Sequence, residues 1–310
     1  MSYESLTPRS SEPTLAHHGG ATITSSIINL LNTIVGAGIL AMPFAYKANG
    51  IILGTIIIGL AGLTAGFGLY LQGLGSSFVP PGHASFFSLA KITYPSLAVL
   101  FDVAIAIKCF GVGVSYLIIV GDLMPQIMQS LNISKDILLD RNFWVAVSMG
   151  IVGPLSYLRK LDSLKYTSIV ALVSVGYLVL IVVGHFIIGD TASQRGPIRV
   201  VEPSSLSAIL QSLPIIIFAF TCHQNMFSVL NELTEATEDK FRTIITSSIG
   251  SSAGFYVIVG LCGYLSFGDN VGGNIIGMCK YFLGGGSASG GWGSAPDPGC
   301  ARFASCWDRE

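Results

Sequence analysis

Apolar and polar positions alternate along this chain in long blocks. Seven apolar runs stand out, at about residues 24–46, 50–74, 97–121, 143–158, 166–189, 207–230 and 244–267, each bounded by charges or by Pro, Gly and Asn clusters. A helix needs about 20 apolar residues to cross a bilayer, so the pattern predicts roughly seven membrane helices, the fourth short and ending near Pro154. Residues 1–23 are polar and rich in Ser, Thr and Pro, and they lack a basic segment followed by a cleavable apolar core. They read as a disordered tail, not a signal peptide.

Two of the runs are interrupted where a plain membrane anchor would carry Leu and Ile. The first contains Asn32, Thr33, Gly36, Ala37, Gly38 and Pro43, and Gly and Pro disfavour helix by about 1 and about 3 kcal/mol relative to Ala. Close helix packing against small residues is the alternative for Gly36-Ala37-Gly38, but the polar neighbours Asn32 and Thr33 favour a break. The sixth passes from Pro214–Phe220 straight into Thr221, Cys222, His223, Gln224 and Asn225. Such a polar run is tolerable in a membrane only where unwound backbone lines a protein-enclosed cavity. The interrupted runs are five spans apart. That spacing predicts an inverted repeat of five helices, with substrate bound where the broken helices meet. Freed amides around Gly36 to Ile39 would hold a carboxylate, and unwound carbonyls would hold an ammonium or a cation.

Composition sharpens the class. Of 310 residues 51% are apolar and only 11% charged, and the mean hydropathy is +0.67. Soluble domains carry about 25% charged residues. With 16 Lys and Arg against 17 Asp and Glu there is no basic surplus for nucleic acid. Six cysteines in a chain of this length do not make a disulfide scaffold. The sequence carries no nucleophile elbow, phosphate loop or paired-histidine metal motif, which argues against an enzyme. A cytoplasmic N-terminus places seven of the Lys and Arg near span ends inside, including the Arg159, Lys160 and Lys165 cluster, and five outside. It also places the sequon Asn132-Ile133-Ser134 on the outer side.

Other polar residues inside the spans are candidates for coupling or gating. Lys108 lies about 15 Å along span three, too deep to snorkel, so it is either packed against neighbouring carbonyls or part of coupling. Asp102 and Asp122 near the ends of that span read as solvated caps, and His185 as interfacial. His223, with an ordinary pKa of about 6.5, could be a proton-linked gate or a neutral wall of the pocket. Asn32 and Glu232 complete the set; the remaining acidic residues after span six read as a solvated loop.

The stretches Ser26–Pro43, Phe218–Asn225 and Asn231-Glu232-Leu233 resemble the amino acid/auxin permease family, with support from Gly111–Asp122 and Gly260–Gly268. Within it the chain is similar to fungal vacuolar amino acid transporters and, more distantly, to sodium-coupled neutral amino acid transporters of animals. The resemblance covers residues 22–278. It implies secondary active transport of amino acids, coupled to protons or sodium and with no other cofactor, in a vacuolar or related endomembrane or in the plasma membrane. It also implies an all-α integral membrane protein with a 5+5 inverted-repeat fold, incomplete here, with about seven transmembrane helices of which the first and sixth are broken. By resemblance, Thr33, Gly36, Ala37, Gly38 and Ile39 would bind the amino and carboxylate groups, and Thr221, Cys222, His223, Gln224 and Asn225 would shape side-chain selectivity. Beyond the amino acid and the lipid bilayer, the sequence specifies no partner.

Past Met278 the character changes to Gly284-Gly285-Gly286 and scattered Pro and Cys, where family members continue into further helices. Residues 279–310 therefore read as an aberrant tail from a shifted frame, a retained intron or an erroneous gene boundary. An incomplete, non-transporting product is the alternative to a working carrier. A seven-helix receptor is a third class, suggested by span count alone; it would put the sequon and the Arg159–Lys165 cluster on the wrong sides.

Overall fold

The computed structural model describes residues 20–278, apart from 132, 134, 157–164, 190, 193–194 and 234–235. The predicted tail before Gly20, the sequon residues Asn132 and Ser134, Arg159, Lys160 and the Gly-rich tail after Met278 lie outside the described residues. The described chain is all helical apart from turns and one isolated bridge. In order it forms α1 (Ile23–Ile34), a five-residue 3-10 turn at Ala37–Ala41, α2 (Met42–Asn49), α3 (Ile51–Ser76), α4 (Phe86–Thr93), α5 (Ala98–Ser130) and α6 (Asp136–Leu139). Then come α7 (Arg141–Leu155), α8 (Lys165–Ile188), α9 (Leu206–Ala219), α10 (His223–Glu232), α11 (Glu238–Phe267) and α12 (Ile275–Met278).

Six of the seven expected spans are long and apolar enough to cross a bilayer. They are α3, α5, α8 and α11, the joined pair α9 and α10, and the first span, whose halves meet at 45°. The fourth is different. α7 has 15 residues, about 22 Å of rise, which is short of a full hydrocarbon core.

Helix ends follow local chemistry. Thr22 caps α1 by accepting from the Ser25 amide at 3.2 Å, so the helix begins at Ile23, a residue before the expected span. Ala21 pairs with Leu233, its amide donating to the Glu232 carbonyl at 3.0 Å.

α11 is the organising element, packed against α1, α2, α3 and α8. Its Ser248, Ser252, Tyr256, Val259 and Gly260 are buried on one face, as the recurrence of small or polar residues at every fourth position requires. At Gly260 a Cβ would run into the Tyr46 ring, so glycine there lets α2 and α11 approach closely. α2 is tied to α9 by Asn49, which donates to Ser212 Oγ at 2.7 Å. Leu30, Ile34, Ile39, Met42, Ile216, Phe220, Met226 and Tyr256 are buried together between these helices.

Each end of this bundle is stitched by polar contacts. At the end holding the C-terminus of α2, residues 196–204 lace the helices together. Gly196 N donates to the Phe267 carbonyl at 2.9 Å, Ser204 N to Ala48 at 2.9 Å, and the Val200 carbonyl accepts from Ile52 N at 3.0 Å. Arg199 pairs with Asp269 at 2.7 Å. At the opposite end the Asn231 side chain exchanges two hydrogen bonds with the Ala84 main chain, at 2.9 and 2.8 Å. Tyr70 donates to Glu238 there at 2.9 Å.

Candidate substrate site

The first break occupies Val35 and Gly36. Helix α1 ends at Ile34, the Gly36 amide turns back to the Ile34 carbonyl at 2.8 Å, and the chain re-enters helix through Ala37–Ala41. As the first residues of that 3-10 turn, Ala37 and Gly38 have amides with no intrahelical partner. The second break is narrower than the polar run suggested. α9 ends at Ala219, Phe220 to Cys222 are irregular, and His223, Gln224 and Asn225 already form the first turn of α10. The two broken spans run in opposite senses and meet at their breaks. A Cβ on Gly38 would lie 2.7 Å from Cβ of Ala219 and 2.8 Å from its Cα, so only glycine permits this contact.

Between the breaks lies a cavity of about 310 Å³, at the small end of the ~300–1,000 Å³ typical of ligand pockets. The first span lines it with Asn32, Thr33, Ile34, Gly36, Ala37 and Gly38, and the sixth with Phe218, Ala219, Thr221, Gln224 and Asn225. Asn225 Nδ2 donates to Thr33 Oγ1 at 3.0 Å, and Thr33 in turn donates to the Asn29 carbonyl at 2.9 Å. The first of these bonds joins the polar walls directly. Asn32 points its amide to Ser168 Oγ of α8 at 3.3 Å.

The periphery completes the cavity. Lys108 of α5 donates to Gln224 Oε1, so its partner is a side-chain amide and not neighbouring carbonyls. Val112 and Tyr116 of the same helix line the cavity. A Cβ on Gly36 would run into the Tyr116 hydroxyl. Neither Val112 nor Tyr116 was singled out from sequence, although both fall one or two turns after Lys108 on the same helix.

Three expected site residues stand behind the wall instead of on it. Ile39 and Cys222 are buried, the latter with no exposed surface. His223 turns toward α3, where a Cβ on Gly68 would lie 2.7 Å from its Nε2. Glu232 ends α10, with its carbonyl engaged by Ala21. Asp122 forms an ion pair with Arg141 at 2.7 Å with both side chains half exposed. His185 is 5% exposed, buried where the sequence suggested an interface. No group of three or more potential metal ligands exists among the described residues.

A membrane bundle whose two oppositely directed, broken helices meet around a small polar cavity has the architecture of a secondary transporter. The chain belongs to the family described as transmembrane amino acid transporter protein, whose pattern matches residues 19–280. It is 47% identical over 87% of its length to vacuolar amino acid transporter 5 of Schizosaccharomyces pombe, covering 64% of that protein. It is 46% identical over 83% of its length to vacuolar amino acid transporter 6 of Saccharomyces cerevisiae, covering 58%. Sodium-coupled neutral amino acid transporter 7 of Danio rerio is 27% identical over 82% of the chain, which covers 56% of it. The chain thus spans between half and two thirds of the length of these curated relatives. No solved structure matches it.

Proposed function

We propose that this chain carries amino acids across a vacuolar or related endomembrane by secondary active transport, with its N-terminus in the cytoplasm and protons as the coupling ion. The observation that carries the reading is the meeting of the two breaks. Unpaired amides at Ala37 and Gly38 suit a carboxylate, main-chain carbonyls at the ends of α1 and α9 suit an ammonium, and the two sets share one cavity. The described lining contains no Asp, Glu, Lys, Arg or His, which favours a zwitterion with an uncharged side chain. The names of the fungal relatives support both the substrate class and the membrane. The name of the zebrafish relative supports neutral substrates and raises sodium as the rival ion.

The test is uptake by the purified full chain in proteoliposomes. A panel of labelled amino acids is offered under an imposed pH gradient or an imposed sodium gradient. Saturable uptake of neutral amino acids that follows the pH gradient is expected. Uptake that follows only sodium would overturn the coupling assignment. No uptake under either gradient would overturn transport by this chain.

A further inference from the structure

Tyr256 belongs to the buried face of α11 and has no exposed surface. Its hydroxyl lies 2.6 Å from the Ile34 carbonyl and 2.7 Å from the Ala219 carbonyl. Those carbonyls belong to the last helical residues before the two breaks, and both residues line the cavity. The Tyr256 ring meets Phe220, inside the second break, edge to face at 5.0 Å and 85°. One side chain from a third helix therefore touches both breaks at once.

The hydrogen-bond inventory is asymmetric. A phenol has one proton and a carbonyl has two lone pairs, so Tyr256 can donate to only one of its two acceptors at a time. The Ile34 carbonyl also accepts the Gly36 amide at 2.8 Å, which uses both of its lone pairs when Tyr256 donates to it. The Ala219 carbonyl has no main-chain donor across the break among the described residues. It keeps an open lone pair beside the cavity.

We propose that Tyr256 is a positioning residue for the substrate site: its single shared proton holds the carbonyls that end α1 and α9 at a fixed separation, leaving the Ala219 carbonyl open to a ligand's ammonium group. This rests on the amino acid reading given above. A tyrosine serving only to fill the core would need its ring and not its hydroxyl, because Phe fills nearly the same volume.

The full chain in lipid nanodiscs is compared with Tyr256→Phe and with a chain carrying p-aminophenylalanine at position 256, whose amino group supplies two protons. Two readouts are taken: amide hydrogen exchange, and binding of tritiated L-alanine, L-glutamine and L-leucine. In Tyr256→Phe, exchange at residues 35–38 and 220–224 is expected to quicken about tenfold while exchange in α3 is unchanged. Affinity for whichever of the three amino acids binds falls about tenfold. The p-amino variant restores both.

Unchanged exchange at either break, faster exchange throughout α3, or unchanged affinity despite loosened breaks would each overturn the proposal. A wild-type chain that binds none of the three amino acids while the exchange pattern holds would sink the amino acid reading and leave the clamp standing.

Discussion

The bundle of α1, α2, α3, α9, α10 and α11 and the outlying pair α5 and α7 are both apolar helices, yet they use that apolarity differently. In the most apolar stretch of α11, 39% of residues are buried, and in that of α5 none is. The bundle uses its small residues for close approach, with Gly38 against Ala219 and Gly260 against the Tyr46 ring. α5 offers Val99, Ile107 and Phe110 outward and sends only a few side chains in. The cavity is thus walled mainly by bundle residues, and the periphery adds Val112 and Tyr116 to the wall, with Lys108 behind it holding Gln224.

That division can be tested first where the two regions collide. Gly36→Ala puts a methyl group where the Tyr116 hydroxyl sits, and overpacking of this kind costs about 1–3 kcal/mol. Amino acid affinity is expected to fall by one to two orders of magnitude in binding assays. Adding Tyr116→Phe should recover much of the loss, because the next nearest ring atom is 3.3 Å away. Absence of any recovery would mean the periphery does not shape this wall.

A smaller effect is expected within the bundle. Asn225→Ala and Thr33→Val each remove the 3.0 Å bond between the breaks, at about 1 kcal/mol in binding. The double variant should be clearly less impaired than the sum of the singles. Strict additivity would separate the two residues.

Lys108 is the charged reach of the periphery into the bundle. Lys108→Met leaves Gln224 Oε1 without its donor, and a severalfold loss of affinity, about 1 kcal/mol, is expected. Equal loss in Lys108→Met and in Lys108→Met combined with Gln224→Leu would identify that bond as the cause.

The smallest effect concerns His223. Because its ring packs toward Gly68 and does not line the cavity, His223→Gln should leave the pH profile of uptake unchanged. A shifted profile would restore it as a proton-linked gate.

Much of this layout was legible in the sequence, because glycines, proline and polar residues inside an apolar run weaken a membrane helix unless a break or a close backbone contact makes use of them. Gly36, Gly38, Asn32, Thr33 and Thr221 all reach the cavity wall for that reason. The extent of the second break was not legible. His223, Gln224 and Asn225 suit the first turn of a helix as well as an unwound strand, and only the helix start at His223 separates the two. Tyr256 was invisible as a site residue because an aromatic in an apolar span reads as core. Ser248, Ser252, Tyr256 and Gly260 do recur at every fourth position, but Ser247, Gly250, Ser251 and Gly254 lie among them in the same helix, so the series does not stand out. Tyr116 carried no mark either, since its role depends on the approach of α5 to Gly36. The burial of His185 likewise arises from tertiary packing and not from its place near a helix end.

The most direct measurement is equilibrium binding of a labelled neutral amino acid to the purified full chain and to Gly38→Leu, with thermal melting confirming that both are folded. The introduced isobutyl group would collide with Ala219, which already leaves no room for a Cβ at this position, and would force the two breaks apart. The expected result is saturable binding at one site per chain in the wild type and none in the variant. Equal binding by two folded chains would contradict the meeting of the breaks as the substrate site.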